Sequence, residues 1–122
     1  MENESALANI PIVDIDEEGV FKYVLLKVWS KESKGASAVL VRGFKWGVFH
    51  RHIFQDMEAK LRALGLEALC LGGGRISKDS TLKKINVYGF STNYGKADHE
   101  LTTRLLKEVF TDYEITWSNE GY

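Results

Sequence analysis

Between Val20 and Trp29 the chain places Val, Leu, Phe and Tyr almost without interruption, with Lys22 and Lys27 as the only charges. Side chains of this kind at this density favour an extended strand over a helix. Ala38 to Arg42 resumes the pattern after a polar stretch, Ser30 to Ser37, so the two runs can pair antiparallel across a loop. Lys22 and Arg42, like Arg75 further on, are basic residues in or beside apolar strands, where a charge needs a partner or a cavity open to water.

The other elements follow from periodicity. From Trp46 to Leu64 the apolar positions Trp46, Phe49, Ile53, Phe54, Met57, Leu61 and Leu64 recur at spacings of three and four, which predicts a helix closed by Gly65. Leu66 to Leu71 and Lys83 to Phe90 read as strands joined through Gly72-Gly73-Gly74 and a polar turn near Lys78 to Thr81. A second helix is expected over about Ala97 to Phe110, and the alternation of Tyr113, Ile115 and Trp117 predicts a last strand. Ile10 to Val13 reads as an extended edge segment containing Pro11, Asp14 to Gly19 as a turn, and residues 1–9 as a loose, polar lead. The order βββ, α, ββ, α, β predicts an α/β (α+β) fold, one mixed sheet of about six strands flanked by two α-helices, in a single domain over residues 10–122.

Composition bounds the function. A hydrophobic fraction of 44% and a charged fraction of 27% are those of a chain that folds alone. Sixteen basic and 17 acidic side chains leave a formal charge of -1, which gives no net drive toward nucleic acid or an anionic membrane, so an anion site has to be local. The single cysteine, Cys70, lies in an apolar run and allows no intrachain disulfide, and no apolar stretch approaches the roughly 20 residues that span a bilayer. A cytoplasmic protein is expected.

Several familiar chemistries fail on spacing. Asp14-x-Asp16-x-Glu18-Gly19 opens like an EF-hand loop, but its twelfth position is Leu25 and not a bidentate Glu. Cys70 and Arg75 have four intervening residues where a cysteine phosphatase loop needs five, and Gly72-Gly73-Gly74 is not followed by the Lys-Ser/Thr pair of a P-loop. His50 and His52 are two apart on a helix and cannot clamp one metal ion.

Two segments remain. His50 falls near the start of the first predicted helix, on or beside its buried face. A histidine at the edge of a core is the plainer account; the partial positive charge of a helix N-terminus, which keeps imidazole neutral and attracts phosphate, gives the other. In Gly89-Phe90-Ser91-Thr92-Asn93-Tyr94-Gly95 an apolar strand gives way to small polar residues, a place where backbone N–H groups and hydroxyls can meet an anion.

Val13-Asp14-Ile15-Asp16, Gly19 to Leu25, Val41-Arg42-Gly43-Phe44-Lys45-Trp46 leading to His50, Cys70 to Ser77, Val87 to Ser91 and Asp112-Tyr113-Glu114 to Gly121-Tyr122 occur in order. Over nearly its full length the sequence thereby resembles the protein histidine phosphatase, or Janus, family. The resemblance implies a monomer that hydrolyses phosphohistidine in proteins without metal or other cofactor. It puts His50 in the place of the essential histidine, as general base or nucleophile. Lys22 takes the place of a substrate-contacting lysine, Arg75 that of the arginine near the site, and Ser91, Thr92 and Asn93 that of the phosphate-binding loop. The chain departs from the family at Phe49, where a tyrosine often precedes the histidine, at Asn86 in place of a histidine, and at Thr92-Asn93. A non-catalytic, phosphoprotein-binding or regulatory module of the same type is the alternative.

Overall fold

A computed structural model describes residues 2–32 and 35–119. Ser33 and Lys34 of the predicted loop and the closing Glu120-Gly121-Tyr122 lie outside the described residues. The elements run α1 (Glu2–Asn9), β1 (Val13–Ile15), β2 (Gly19–Ser30), β3 (Ser37–Phe44), α2 (His50–Ala63), β4 (Leu66–Asp79), β5 (Lys84–Tyr88), α3 (His99–Val109) and β6 (Glu114–Trp117). They build one six-stranded sheet in the order β1-β3-β2-β4-β5-β6. The edge pairs β1–β3 and β5–β6 are parallel and the inner pairs antiparallel, so the sheet is mixed, as the element order predicts.

The apolar run over Val20 to Trp29 lies within β2, which pairs along its length with both β3 and β4. Its side chains alternate between two cores. Phe21, Tyr23 and Leu25 enter the core that includes Leu106 of α3 and Ile115 of β6, while Val24, Leu26 and Val28 enter the core formed with Ile53, Met57 and Leu61 of α2. The amphipathic helix α3 therefore packs on one face of the sheet and α2 on the other.

Three local readings change. The segment read as a loose lead carries helix α1, from which Ala6 and Leu7 pack onto the α2-side core, so among the described residues three helices accompany the sheet instead of two. The first predicted helix begins at His50 and not at Trp46: residues 45–48 are held in turns by Gly47 N–H to Phe44 O (3.1 Å) and Val48 N–H to Trp46 O (3.0 Å). Trp46 then stacks on Phe44 at 5.2 Å, about half exposed, and the apolar spacing that reaches back to it is coincidental. Finally, Gly72-Gly73-Gly74 does not join two strands but lies inside the single long strand β4; the hairpin to β5 turns beyond Asp79.

Arg42 and the acidic turn have structural partners. The Arg42 guanidinium donates to the carbonyls of Pro11 (2.6 Å), Val41 (2.9 Å) and Ile12 (3.2 Å), pinning the chain before β1 to the sheet edge. Asp16 accepts from Lys45 N–H at 2.7 Å and Glu18 from Ser80 N–H at 2.8 Å.

The three glycines are required for three different neighbours. A Cβ on Gly72 would lie 2.7 Å from the Ala97 nitrogen, one on Gly73 2.6 Å from His50 Cδ2, and one on Gly74 2.5 Å from the Tyr88 carbonyl oxygen and 2.6 Å from His99 Cε1. Gly74→Ala must push backbone apart, so we expect it to lower the urea-unfolding free energy by about 2 kcal/mol or more, whereas exposed Leu82→Ala should stay within about 0.5 kcal/mol. Equal stability of the two variants would refute this account of the packing.

Candidate active site

Lys22 and Arg75 are direct partners across the β2–β4 ladder. Alternation puts both on the α2 face: Lys22 is in phase with Val24 and Leu26, and Arg75 with Gly73, over which the His50 ring sits. Like charges directly opposite on a ladder destabilise it. An oxyanion between them converts that repulsion into attraction.

His50 is the first residue of α2 and is 7% exposed. Its Nε2 lies 2.9 Å from the Gly74 carbonyl oxygen. A carbonyl only accepts, so Nε2 carries the hydrogen and, in the neutral ring, Nδ1 holds the lone pair. Burial pushes the imidazole below its usual titration range; the bond to Gly74 acts the other way, and the fields of Lys22 and Arg75 again lower it. The ring is accordingly a neutral base at pH 7. Phe49, the N-cap residue of α2, gives no side-chain cap and the first turn has no acidic residue, so neither compensates the positive end of this helix. In α3, by contrast, Asp98 accepts from Leu101 N–H at 3.0 Å.

The third part follows β5. Ser91 is buried and exchanges backbone hydrogen bonds with Gly95 at 3.1 and 2.8 Å, closing a tight loop. Ser91 Oγ accepts from Tyr94 N–H at 3.1 Å, which leaves its hydroxyl hydrogen to donate elsewhere. Among the described residues, the amides of Thr92 and Asn93 donate to no protein acceptor. The loop is tied to the central strand by Gly73 N–H to Gly95 O and Ala97 N–H to Gly73 O, each 3.0 Å.

All six residues predicted for the site, His50, Lys22, Arg75, Ser91, Thr92 and Asn93, line one cleft of about 300 Å³. Phe49, Arg51 and Phe90 complete its wall. Sequence reasoning does not assign these three to a site; Phe49 enters it only as a departure from a family tyrosine, and the exposed Arg51 looks there like any solvated helix charge. Asn86 is elsewhere, accepting from Thr116 Oγ1 at 3.1 Å. Cys70 is also outside the cleft, with its thiol pushed up to about 11 by burial, and is protonated at neutral pH. Among the described residues no three His, Cys, Asp or Glu side chains gather as a metal site.

Residues 7–114 match the Janus/Ocnus family (Ocnus). The chain belongs to this family. Among its relatives are proteins named 14 kDa phosphohistidine phosphatase from Homo sapiens, 48% identical over 95% of this chain and 96% of the relative, and from Sus scrofa, 45% identical over 95% of each. Another is the sex-regulated protein janus-A of Drosophila pseudoobscura pseudoobscura, 44% identical over 98% of this chain and 83% of the relative.

Within this Janus/Ocnus chain a second histidine opens a second helix on the opposite sheet face. His99 donates from Nε2 to the Gly89 carbonyl at 2.7 Å and accepts at Nδ1 from the Tyr23 hydroxyl at 2.6 Å, so both nitrogens are occupied. Burial lowers its pKa as well. Both histidines are held neutral in the folded state, whereas the unfolded chain protonates them near pH 6.5. Below that pH the unfolded state binds more protons, so stability must fall as pH falls, by up to about 1.4 kcal/mol per pH unit for each histidine until its folded form titrates. Urea unfolding at pH 7.5 and 5.5 measures this; a protein more stable at 5.5 would contradict the neutral assignment.

Proposed function

We propose that this protein is a metal-independent protein phosphohistidine phosphatase that acts as a cytoplasmic monomer on phosphohistidine-containing proteins. The observation that carries the reading is that a neutral, backbone-anchored His50 shares one cleft with two cations, Lys22 and Arg75, and the Ser91 to Asn93 loop. The names of the human and porcine relatives point the same way.

The substrate is a phosphoramidate, with phosphorus bonded to an imidazole nitrogen. Phosphoryl transfer is promoted mainly by positioning and charge stabilisation. Lys22, Arg75, the Ser91 hydroxyl and the amides of Thr92 and Asn93 hold the phosphoryl oxygens. His50 Nδ1 takes a proton from water as its oxygen bonds to phosphorus, the P–N bond breaks with its electron pair passing to the leaving nitrogen, and that nitrogen takes up a proton from the His50 imidazolium or from solvent to leave as imidazole. The hydrogen bond from Nε2 to Gly74 stabilises the imidazolium that forms. In the competing form of this mechanism Nδ1 attacks phosphorus itself and water then hydrolyses the phosphorylated His50.

General-base help contributes typically about 10²–10⁴ in rate, and one charge-stabilising donor about 10²–10³. Phosphate release from a phosphohistidine protein, with chelator present, should therefore fall at least about a hundredfold in His50→Ala while circular dichroism stays native. Lys22→Met should also lose activity. Rapid-quench recovery of phosphate on His50 selects the nucleophile; fast single-turnover hydrolysis without it selects the base. The janus-A relatives are named for sex regulation and not for a reaction, which leaves room for a binding module as the second reading. Turnover equal in wild type and His50→Ala would remove His50 from the chemistry, and no turnover by either, with phosphate analogues still bound, would establish the binding module.

A further inference from the structure

Arg51 follows His50 in α2, is exposed, and lines the lip of the same cleft. Its guanidinium sits over the Phe49 ring, 4.8 Å from the centroid, and that ring is braced on another side by His52 at 5.3 Å. A long side chain that would otherwise sample many rotamers is thus held beside the cleft mouth. Among the described residues Arg51 makes no ion pair and donates no hydrogen bond; the acidic residues of α2, Asp56 and Glu58, are engaged by Lys60 at 2.9 Å and Arg62 at 3.3 Å. A planar fork of N–H donors is therefore presented at the mouth.

The charge balance indicates what it meets. A phosphoryl group carries roughly −1.5 to −2 charge at neutral pH, and in the phosphohistidine reading it already meets Lys22 and Arg75, which are opposite each other on the sheet. The fields acting on the His50 ring are those of Lys22 and Arg75, whereas that of Arg51 acts on Tyr94, outside the group that holds the phosphoryl oxygens. A third cation at the lip has little phosphoryl charge left to neutralise, and its geometry suits a carboxylate.

We propose that Arg51 is a specificity residue that grips a carboxylate neighbouring the phosphorylated histidine, so that phosphohistidine in acidic surroundings is preferred. The proposal rests on the phosphohistidine reading above. It is tested by binding and turnover measured separately. Two peptides carrying a non-hydrolysable phosphonate analogue of phosphohistidine, one flanked by Glu and one by Gln, are titrated calorimetrically into wild type, Arg51→Ala and Arg51→Glu. Wild type should bind the Glu peptide about three- to fivefold more tightly at low salt, with the preference shrinking as salt is added. Arg51→Ala should remove most of that preference and Arg51→Glu should invert it. Absence of a preference in wild type, or equal weakening of both peptides by Arg51→Ala, which would put the guanidinium on the phosphoryl group, overturns the proposal. Turnover of the hydrolysable peptides is followed in parallel. If wild type hydrolyses neither, the phosphatase reading fails while the affinity ratio still decides Arg51; if it binds neither, both fail.

Discussion

Everything at the cleft depends on the absence of side chains at Gly72, Gly73 and Gly74 in the middle of a central strand. Glycine weakens a strand interior, because it loses the most entropy on ordering and packs nothing. Here the vacated volume is filled from both sides. The His50 ring lies against Gly73 on one face, His99 against Gly74 on the other, and the chain at Ala97 crosses Gly72, where φ is +144°. Both helices can start directly on the sheet, and the Ser91 to Gly95 loop can bond to Gly73 instead of standing off by a side-chain width. Replacing any one of the three would move a different part of the site.

The two histidines show how one packing device serves two ends. Each begins a helix, is buried, and gives Nε2–H to a backbone carbonyl. His99 is closed off because the Tyr23 hydroxyl occupies its other nitrogen, and Thr102 lies 3.1 Å from that same hydroxyl. Among the described residues His50 has only the one anchoring bond, beside two cations and a helix end without a side-chain cap. Burial, helped by the positive groups around it, holds the ring neutral, and those same groups make a place that suits an anion.

The fold was legible where period and composition agree over many residues. β2 announces itself because it is buried on both faces, α2 and α3 because their apolar positions recur at three and four, and the hairpin because turn residues separate two apolar runs. The helix start slipped by four residues because spacing alone cannot tell Trp46, stacked on Phe44 in a turn, from a helical core position. The glycine triplet reads as a connection because glycine favours turns, although consecutive glycines inside an apolar stretch also signal close approach of another chain segment.

For the site, the local chemistry of each part can be read along the chain: a histidine opening a helix, a lysine and an arginine in strands, small polar residues after a strand, and the motifs that mark the Janus/Ocnus family. Their convergence cannot be, because it is a matter of register. Lys22 faces Arg75 only through the β2–β4 pairing, which shifts at Leu25/Leu26, and a slip of one residue would send either cation to the other face. Strand order separates Arg42 on β3, spent on three backbone carbonyls beside the sheet edge, from Arg75 on β4 in the cleft, though pairing with β2 puts both on the α2 face and both look alike as basic residues in apolar strands. It was packing across the sheet, and not any pattern along the chain, that brought Phe49, Arg51 and Phe90 to the same opening, since side chains from a helix start and a strand end meet only when glycine lets those elements approach.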